Sequence, residues 1–415
     1  MERNTTKPPI RKPHLQITTT MTALPTREEP SYFGAGPAVL PTHVLEQAAK
    51  DLINYDNLGL GVGEISHRSK EATQIINDTK ENLIKLMDIP KDTHEVFFMQ
   101  GGGTTGFSSI ASNMFFDSYD ASKKDTEQKK GLYLIDGSWS LKSFQEAQRL
   151  GYSVESIKLD TNNTEKGASI LNEIQYPENL SYVYICENET VHGIEFPMLP
   201  ANIPQNVELV ADLSSDILSR KIDVSKYGVI MAGAQKNIGL AGLTVYIVKK
   251  TILNNIAKNE KNLDNASKYP KTPIAFDWPT VVKNNSAYNT IPIFTLHIMN
   301  LVFKNLLAKG GVAQQELENQ KKSKMLYQTL DKYPNIFNLP VSKNFRSKMN
   351  VVFTLKDSSL DDEFLSNAEK QNLKGLKGHR SVGGFRASLY NAVSLKAVEK
   401  LVKYIEEFAS TVESK

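Results

Sequence analysis

The chain has 415 residues, of which 40% are hydrophobic and 23% charged, with a formal net charge of +3. That is ordinary globular composition, and such a length calls for a large and a smaller domain, since single cores seldom grow past roughly 250–300 residues. The near-neutral balance gives no basis for a nucleic-acid partner, the single cysteine, Cys186, excludes an intramolecular disulfide, and no apolar run reaches the roughly 18 residues of a membrane-spanning helix.

Residues 1–30 are rich in Thr and Pro, with Arg3, Lys7, Arg11 and Lys12. Pro8, Pro9 and Pro13 break any amphipathic helix of the kind a transit peptide needs, so a disordered tail is expected, with Met21 an alternative start. Order is expected from Ser31-Tyr32-Phe33, followed by the turn-forming Gly34-Ala35-Gly36-Pro37. Val44, Leu45, Ala48, Ala49 and Leu52 recur at helical spacing, which predicts a helix over 42–55. A second helix is expected from Ser69 toward Met87. Val96–Met99 reads as a buried strand running into Gly101-Gly102-Gly103, with a helix through Ile110 and Met114 beyond it. The charged stretch 118–130 reads as a surface loop. Strands are then expected at 132–135, 154–158, 182–186, 209–211, 229–232 and 243–248, with a helix over 141–150 between the first two. After about residue 288 the pattern turns helical, at 293–307 and 312–330. Strands at 351–355 and 385–389 and a helix over 395–408 complete the chain.

Short apolar strands alternating with helices predict an α/β fold, with a mainly parallel sheet covered on both faces. The expected division is a large domain over 31–290 and a smaller C-terminal α+β domain over 291–415. In such a sheet the loops after the strands share one edge, where ligands bind. Lys321, Lys322 and Lys324 are expected to form a solvated helix face. Cys186 is expected to fill a buried strand, and a lone cysteine fits a cytoplasmic setting.

Five features point to chemistry at the ligand edge. Lys236, in Ala234-Gln235-Lys236-Asn237, falls between two apolar strands. A desolvated lysine is a Schiff-base nucleophile, although a lysine with its amine in water fits the stretch Ala234–Gly239 as well. Asp212 directly follows a strand; alone it is more simply a turn or cap residue, but paired with Lys236 it can hold a protonated ring nitrogen while the lysine engages an aldehyde. Gly101, Gly103 and Gly106 match a dinucleotide-binding pattern, yet the acid expected about 20 residues on is missing. What remains is a glycine turn suited to a phosphate at a helix N-terminus, or a glycine turn without a ligand. Trp139 follows another strand and can stack on a flat cofactor or pack the core. His67-Arg68, His379-Arg380 and Arg386 supply forks for carboxylate or phosphate, each also readable as a surface residue. His and Cys show no metal-ligand spacing, so no metal is expected.

The chain resembles the phosphoserine aminotransferases, pyridoxal-phosphate enzymes of fold type I, class V, over about residues 32–408. The resemblance rests on Gly34-Ala35-Gly36-Pro37, Glu64-Ile65-Ser66-His67-Arg68, Gln100-Gly101-Gly102-Gly103, Asn188-Glu189-Thr190, Ala211-Asp212-Leu213-Ser214-Ser215, Ala234-Gln235-Lys236-Asn237, Tyr288-Asn289-Thr290 and the run from Gly378 to Arg386. It implies that Lys236 attaches pyridoxal 5'-phosphate and moves the catalytic proton. It implies that Asp212 pairs with the ring nitrogen, Trp139 stacks on the ring and Thr190 bonds its phenolic oxygen. Gly103, Thr104, Ser214 and Gln235 are implied to hold the phosphate, completed by Asn289 and Thr290 of a second subunit in a homodimer. Arg386 is implied to bind the substrate α-carboxylate, and His67, Arg68, His379 and Arg380 its distal anion. The implied reaction is ping-pong transfer of the amino group of L-glutamate to 3-phosphohydroxypyruvate, giving O-phospho-L-serine and 2-oxoglutarate. One departure stands out: Ile291 occupies the first proline of the family's Asn-Thr-Pro-Pro. A nucleotide-dependent oxidoreductase would leave Lys236 without a role, and a catalytically dead scaffold would be marked by its loss.

Overall fold

The computed structural model describes residues 26–124, 127–162, 165–261 and 271–414. The expected tail, with Met21, therefore falls almost wholly outside the described residues. Of its last part, Arg27 docks on the chain ahead of the first helix, donating from Nη2 to Leu40 O at 2.6 Å.

In chain order the elements are β1 (Ser31–Tyr32), α1 (Thr42–Ile53), α2 (Lys70–Met87), β2 (His94–Gly101), α3 (Gly103–Ser118), β3 (Lys130–Ile135), α4 (Ser138–Arg149), β4 (Val154–Lys158), β5 (Leu180–Cys186), β6 (Asn188–Glu189), β7 (Ile194–Glu195), β8 (Glu208–Asp212), β9 (Val229–Gly233), β10 (Gly242–Lys249), α5 (Lys250–Lys261), α6 (Trp278–Lys283), α7 (Ile293–Ala308), α8 (Gly311–Lys332), β11 (Phe337–Asn338), β12 (Asn350–Leu355), α9 (Asp361–Lys370), β13 (Leu373–Lys374), β14 (Phe385–Ser388) and α10 (Leu395–Glu413).

The central sheet has seven strands in the order β2-β10-β9-β8-β5-β3-β4. The pairs β3/β4, β3/β5, β5/β8 and β8/β9 are parallel, whereas β10 is antiparallel to both β2 and β9. Thus β10 alone runs against the other six. Its link from β9 spans only residues 234–241, too short for the crossover a parallel neighbour requires. Strand residues alternate between two cores. Phe98, Leu134, Ile185, Ala232 and Val245 pack on one face, with α2 and α7. Phe97, Tyr133, Tyr184, Met231 and Tyr246 pack on the other, where α3, α5 and α6 lie. Trp278 is sealed into that second face, donating from Nε1 to Ser109 Oγ at 2.8 Å.

A smaller unit stacks β11-β12-β14 against α8, α9 and α10 around Phe353, Phe364, Phe385, Leu401 and Phe408. Its makeup differs from the expected division at 290/291 in two ways. The strand β1 pairs in parallel with β13 and delivers Phe33 to the smaller core. Helix α7 puts Leu296, Met299 and Phe303 into the large core, against α2. The handover runs along α8, whose Val312 lies in the large core and Leu326 in the small one. Hydropathy marks α7 as buried without saying against what.

A second correction concerns the lysine face. Lys321 and Lys324 are exposed, but Lys322 is 1% exposed. Helical spacing places it in register with Gln315, Asn319 and Leu326, all turned inward. No helix among the described residues is long and apolar enough to cross a membrane.

Candidate active site

The strands that run together bring their carboxyl ends to one edge of the sheet. The segments 101–104, 136–139, 186–190, 212–215 and 234–236 converge there, because each directly follows a strand. They enclose a cavity of about 240 Å³ lined by Gly103, Thr104, Phe107, Trp139, Cys186, Asn188, Thr190, Asp212, Ser214, Ser215, Gln235 and Lys236.

Lys236 stands in the β9–β10 link and donates from Nζ to Thr190 Oγ1 at 2.7 Å. Among the described residues it has no carboxylate within ion-pair distance, so its amine is held by a neutral hydroxyl. Gly36 closes over its stem: with φ +131° it needs glycine, and a Cβ there would stand 3.4 Å from Lys236 Cγ. Asp212 ends β8 and is 5% exposed. Its Oδ1 accepts from Ser214 N at 2.8 Å, and Ser214 Oγ accepts from Gly233 N at 2.9 Å. Burial pushes the Asp212 carboxyl above its usual range, while Ser214 and the positive charge of Lys236 pull the other way. A buried carboxylate so placed favours a cationic partner.

Trp139 opens α4 and forms one wall. Its backbone N–H donates to Glu189 Oε2 at 2.6 Å, and its buried indole Nε1 has no hydrogen-bond partner. Phe107 lies 6.3 Å away ring to ring, and Lys142 Nζ sits 4.3 Å over the indole. Across the cavity α3 begins at Gly103, with Gly102 N donating to Thr105 Oγ1 at 2.9 Å. Gly101, at φ +136°, is forced by this turn, since a Cβ would fall 1.9 Å from Thr105 Oγ1. The free N–H groups of that helix start form an anion site. The chamber therefore fits a flat ring bearing a phosphate: an aromatic wall with an orphan donor, a buried acid, an amine and a helix N-terminus.

Arg386 is buried on β14 and donates from Nη1 to Thr190 O at 3.2 Å, joining the smaller unit to the cavity wall. His379 lies nearby: burial lowers its pKa, reinforced by the charges of Arg386, Lys142 and Arg380. Its Nδ1 accepts from Ser381 N at 3.2 Å. Arg380 is exposed. Seven expected residues are not among those that line the cavity: Arg386, His379 and Arg380, just described, and His67, Arg68, Asn289 and Thr290. His67 is half-buried and Arg68 exposed, both ahead of α2. Asn289 and Thr290 are exposed, with Gln100 Nε2 donating to Thr290 O at 2.6 Å.

Sequence reasoning passed over Phe107, Asn188 and Ser215, and also two acids behind Trp139. Glu189 is fully buried and anchors the Trp139 amide. Asp136 is buried, and desolvation followed by the charge of Glu189 pushes it well above the carboxylate range. The Asn188-Glu189-Thr190 motif was the available signal for Glu189. Cys186 is a buried free thiol, held protonated by desolvation and the neighbouring acids Asp212 and Glu189.

Residues 31–401 match the family model described as aminotransferase class-V. The chain is 61% identical over 393 residues to phosphoserine aminotransferase of Saccharomyces cerevisiae, covering 92% of this chain and 98% of that one. It is 41% identical to phosphoserine aminotransferase of Geobacillus kaustophilus, over 91% of this chain and 97% of the relative. Among solved structures, phosphoserine aminotransferase from Bacillus circulans subsp. alkalophilus superposes with a TM-score of 0.80 at 34% identity, over 92% of this chain and 99% of that one. The pyridoxal-phosphate-bound phosphoserine aminotransferase from Trichomonas vaginalis superposes with a TM-score of 0.79 at 35% identity, over 91% and 99%.

Proposed function

The chain belongs to the class-V aminotransferases and, within them, to the phosphoserine aminotransferases, and on that premise we propose that it transfers the amino group of L-glutamate to 3-phosphohydroxypyruvate, giving O-phospho-L-serine and 2-oxoglutarate on the route to L-serine. The observation that carries this reading is the meeting of Lys236, Asp212 and Trp139 in one cavity, with Arg386 at its wall.

Pyridoxal 5'-phosphate, when bound, supplies the electron-withdrawing ring that makes the substrate Cα–H acidic. Lys236 would hold it through its amine, Asp212 would face the ring nitrogen, Trp139 would cover the ring and Thr190 would meet its phenolic oxygen. Gly103, Thr104, Ser214 and Gln235 would take its phosphate. The Lys236 amine, freed when the amino donor arrives, is the base that would take the Cα proton and pass it to the cofactor carbon, and would move a proton from that carbon to Cα in the opposite half-reaction. The hydroxyl of Thr190 keeps that amine within the cavity. Arg386 orients the α-carboxylate. His379 and Arg380, with His67 and Arg68, receive the distal anion, which is a carboxylate in one half and a phosphate in the other; an arginine fork suits both. One cavity serving two substrates in turn is what makes the cycle ping-pong.

We assign Asn289, Thr290, His67 and Arg68 to a site completed by a second copy of the chain. Supporting this, they are away from the cavity of their own chain, and the stretch leading to His67 exposes Leu52, Ile53, Leu58 and Leu60. The lone cysteine, a free thiol, accords with a cytoplasmic setting. The test is a coupled assay of O-phosphoserine formation from L-glutamate and 3-phosphohydroxypyruvate with cofactor present, alongside light scattering. Turnover by a dimer, abolished by Lys236→Ala, is expected. A cofactor-loaded wild type without turnover refutes the activity, and an active monomer refutes the shared site.

A further inference from the structure

Lys322 projects from α8 into the interior, and its Nζ donates at 3.0 Å to each of three backbone carbonyls, Leu389 O, Tyr390 O and Val393 O. No carboxylate pairs with it within ion-pair distance among the described residues. An ammonium has three N–H groups, so all three are satisfied. Three carbonyl oxygens turned toward one point repel one another unless a cation stands between them. An exposed lysine elsewhere on α8 could not do this work, because only the inward face reaches the segment after β14.

That segment is a hub. Two more residues of α8 hold it: Asn319 Nδ2 donates to Asn391 Oδ1 at 2.8 Å, and Gln315 Nε2 to Asn391 O at 3.4 Å. From it, Tyr390 Oη donates to Ala35 O at 2.8 Å, in the loop whose Gly36 closes over Lys236. Asn391 N donates at 3.0 Å to Asn237 Oδ1, the side chain next to Lys236 in sequence. The segment also continues directly from the strand that bears Arg386. The ammonium thus lies behind both the amine and the arginine of the cavity, touching neither.

We propose that Lys322 is a positioning residue for the transamination, its ammonium pinning residues 389–393 against the two loops that flank Lys236. The proposal rests on Lys236 being the cofactor lysine. Burial lowers the Lys322 pKa to about 7, with Glu318 on the same helix opposing the shift and Lys309 at the end of α7 adding to it. No charged side chain lies on 389–393 itself. A lysine in water keeps its proton up to about pH 10, so opening this segment to solvent is coupled to proton uptake by Lys322.

The test uses the full-length holoenzyme and Lys322→Met, which keeps most of the length of the side chain and removes its ammonium. Hydrogen exchange of peptides spanning 34–38, 234–239 and 386–393 is expected to speed up about tenfold or more, since even one of the three charge-assisted bonds lost is worth about that. Exchange of the β3 peptide, 130–135, stays as in wild type. kcat falls by a similar factor while both KM values hold within about threefold. Uniformly faster exchange, or local exchange unchanged whatever the rate, overturns the proposal. The wild type supplies an independent arm. After correction for intrinsic chemistry, exchange at 386–393 relative to 130–135 is expected to fall between about pH 6 and pH 9, and a flat or rising ratio overturns it. The exchange pattern appearing in a chain that shows no transamination would sink the activity and leave the pin, so the two failures are distinct.

Discussion

Asp212→Asn should separate function from stability with opposite signs. The carboxylate is buried, and its Oδ1 accepts from Ser214 N–H at 2.8 Å. An asparagine Oδ1 can accept the same bond, so the substitution removes charge and little else. Taking away one member of a buried charge pair costs about 3–5 kcal/mol. At about 1.4 kcal/mol per tenfold, that is a fall of roughly two to four orders of magnitude in kcat/KM. In the cofactor-free chain the sign reverses. Burial raises the Asp212 pKa above its ordinary value, so the folded state holds its proton longer than the unfolded one. The cost of ionising it in the fold appears as pH rises through the carboxylate range and persists at neutral pH. Cofactor-free Asp212→Asn should therefore be at least as stable as wild type at pH 7, with the difference shrinking toward pH 4. Urea unfolding at both pH values, beside steady-state kinetics at pH 7, measures the two signs. A variant less stable at pH 7, or active within about tenfold of wild type, would refute the reasoning.

Arg386→Gln should raise KM for both substrates by about 10–100-fold, the loss of one charge-assisted contact to a carboxylate, with cofactor content unchanged; a rise for one substrate alone contradicts the shared α-carboxylate role. Arg220 pairs with Glu187, Glu195 and Asp216, all buried. Arg220→Met should cost about 3–5 kcal/mol at pH 7. Burial already pushes Glu187 and Asp216 upward, and without the arginine they rise further, so the folded state takes up protons and part of the loss returns as pH falls to about 5.5. Urea midpoints at the two pH values test this, and an equal loss at both would count against it.

The sheet was legible because its central strands are buried on both faces, and Val229–Gly233 and Leu180–Cys186 are apolar there apart from Ser181. Lys236, Asp212 and Trp139 were legible for a related reason. Each lies at or just past the end of such a strand, and strand ends meet at one edge. Helix α9 escaped notice because it buries only Phe364 and Ala368, too few apolar residues to set a period. The β1–β13 pair was invisible because two-residue strands carry no pattern. Glu189 shows the limit of local reading: its contact with the Trp139 amide spans 50 residues. Lys322 shows another, since residue type argues for the surface and only the convergence of three carbonyls explains its burial. His67, Arg68, Asn289 and Thr290 were recognisable as motifs, yet a single chain does not bring them to the cavity.

The most direct test of the central claim is the absorption spectrum of the purified, cofactor-loaded protein before and after L-glutamate is added. The visible band of a lysine-bound pyridoxal cofactor should give way to the near-ultraviolet band of its amino form, with one equivalent of 2-oxoglutarate released per site and no change in Lys236→Ala. No visible band with cofactor in excess, or a band that glutamate leaves untouched, would contradict the account.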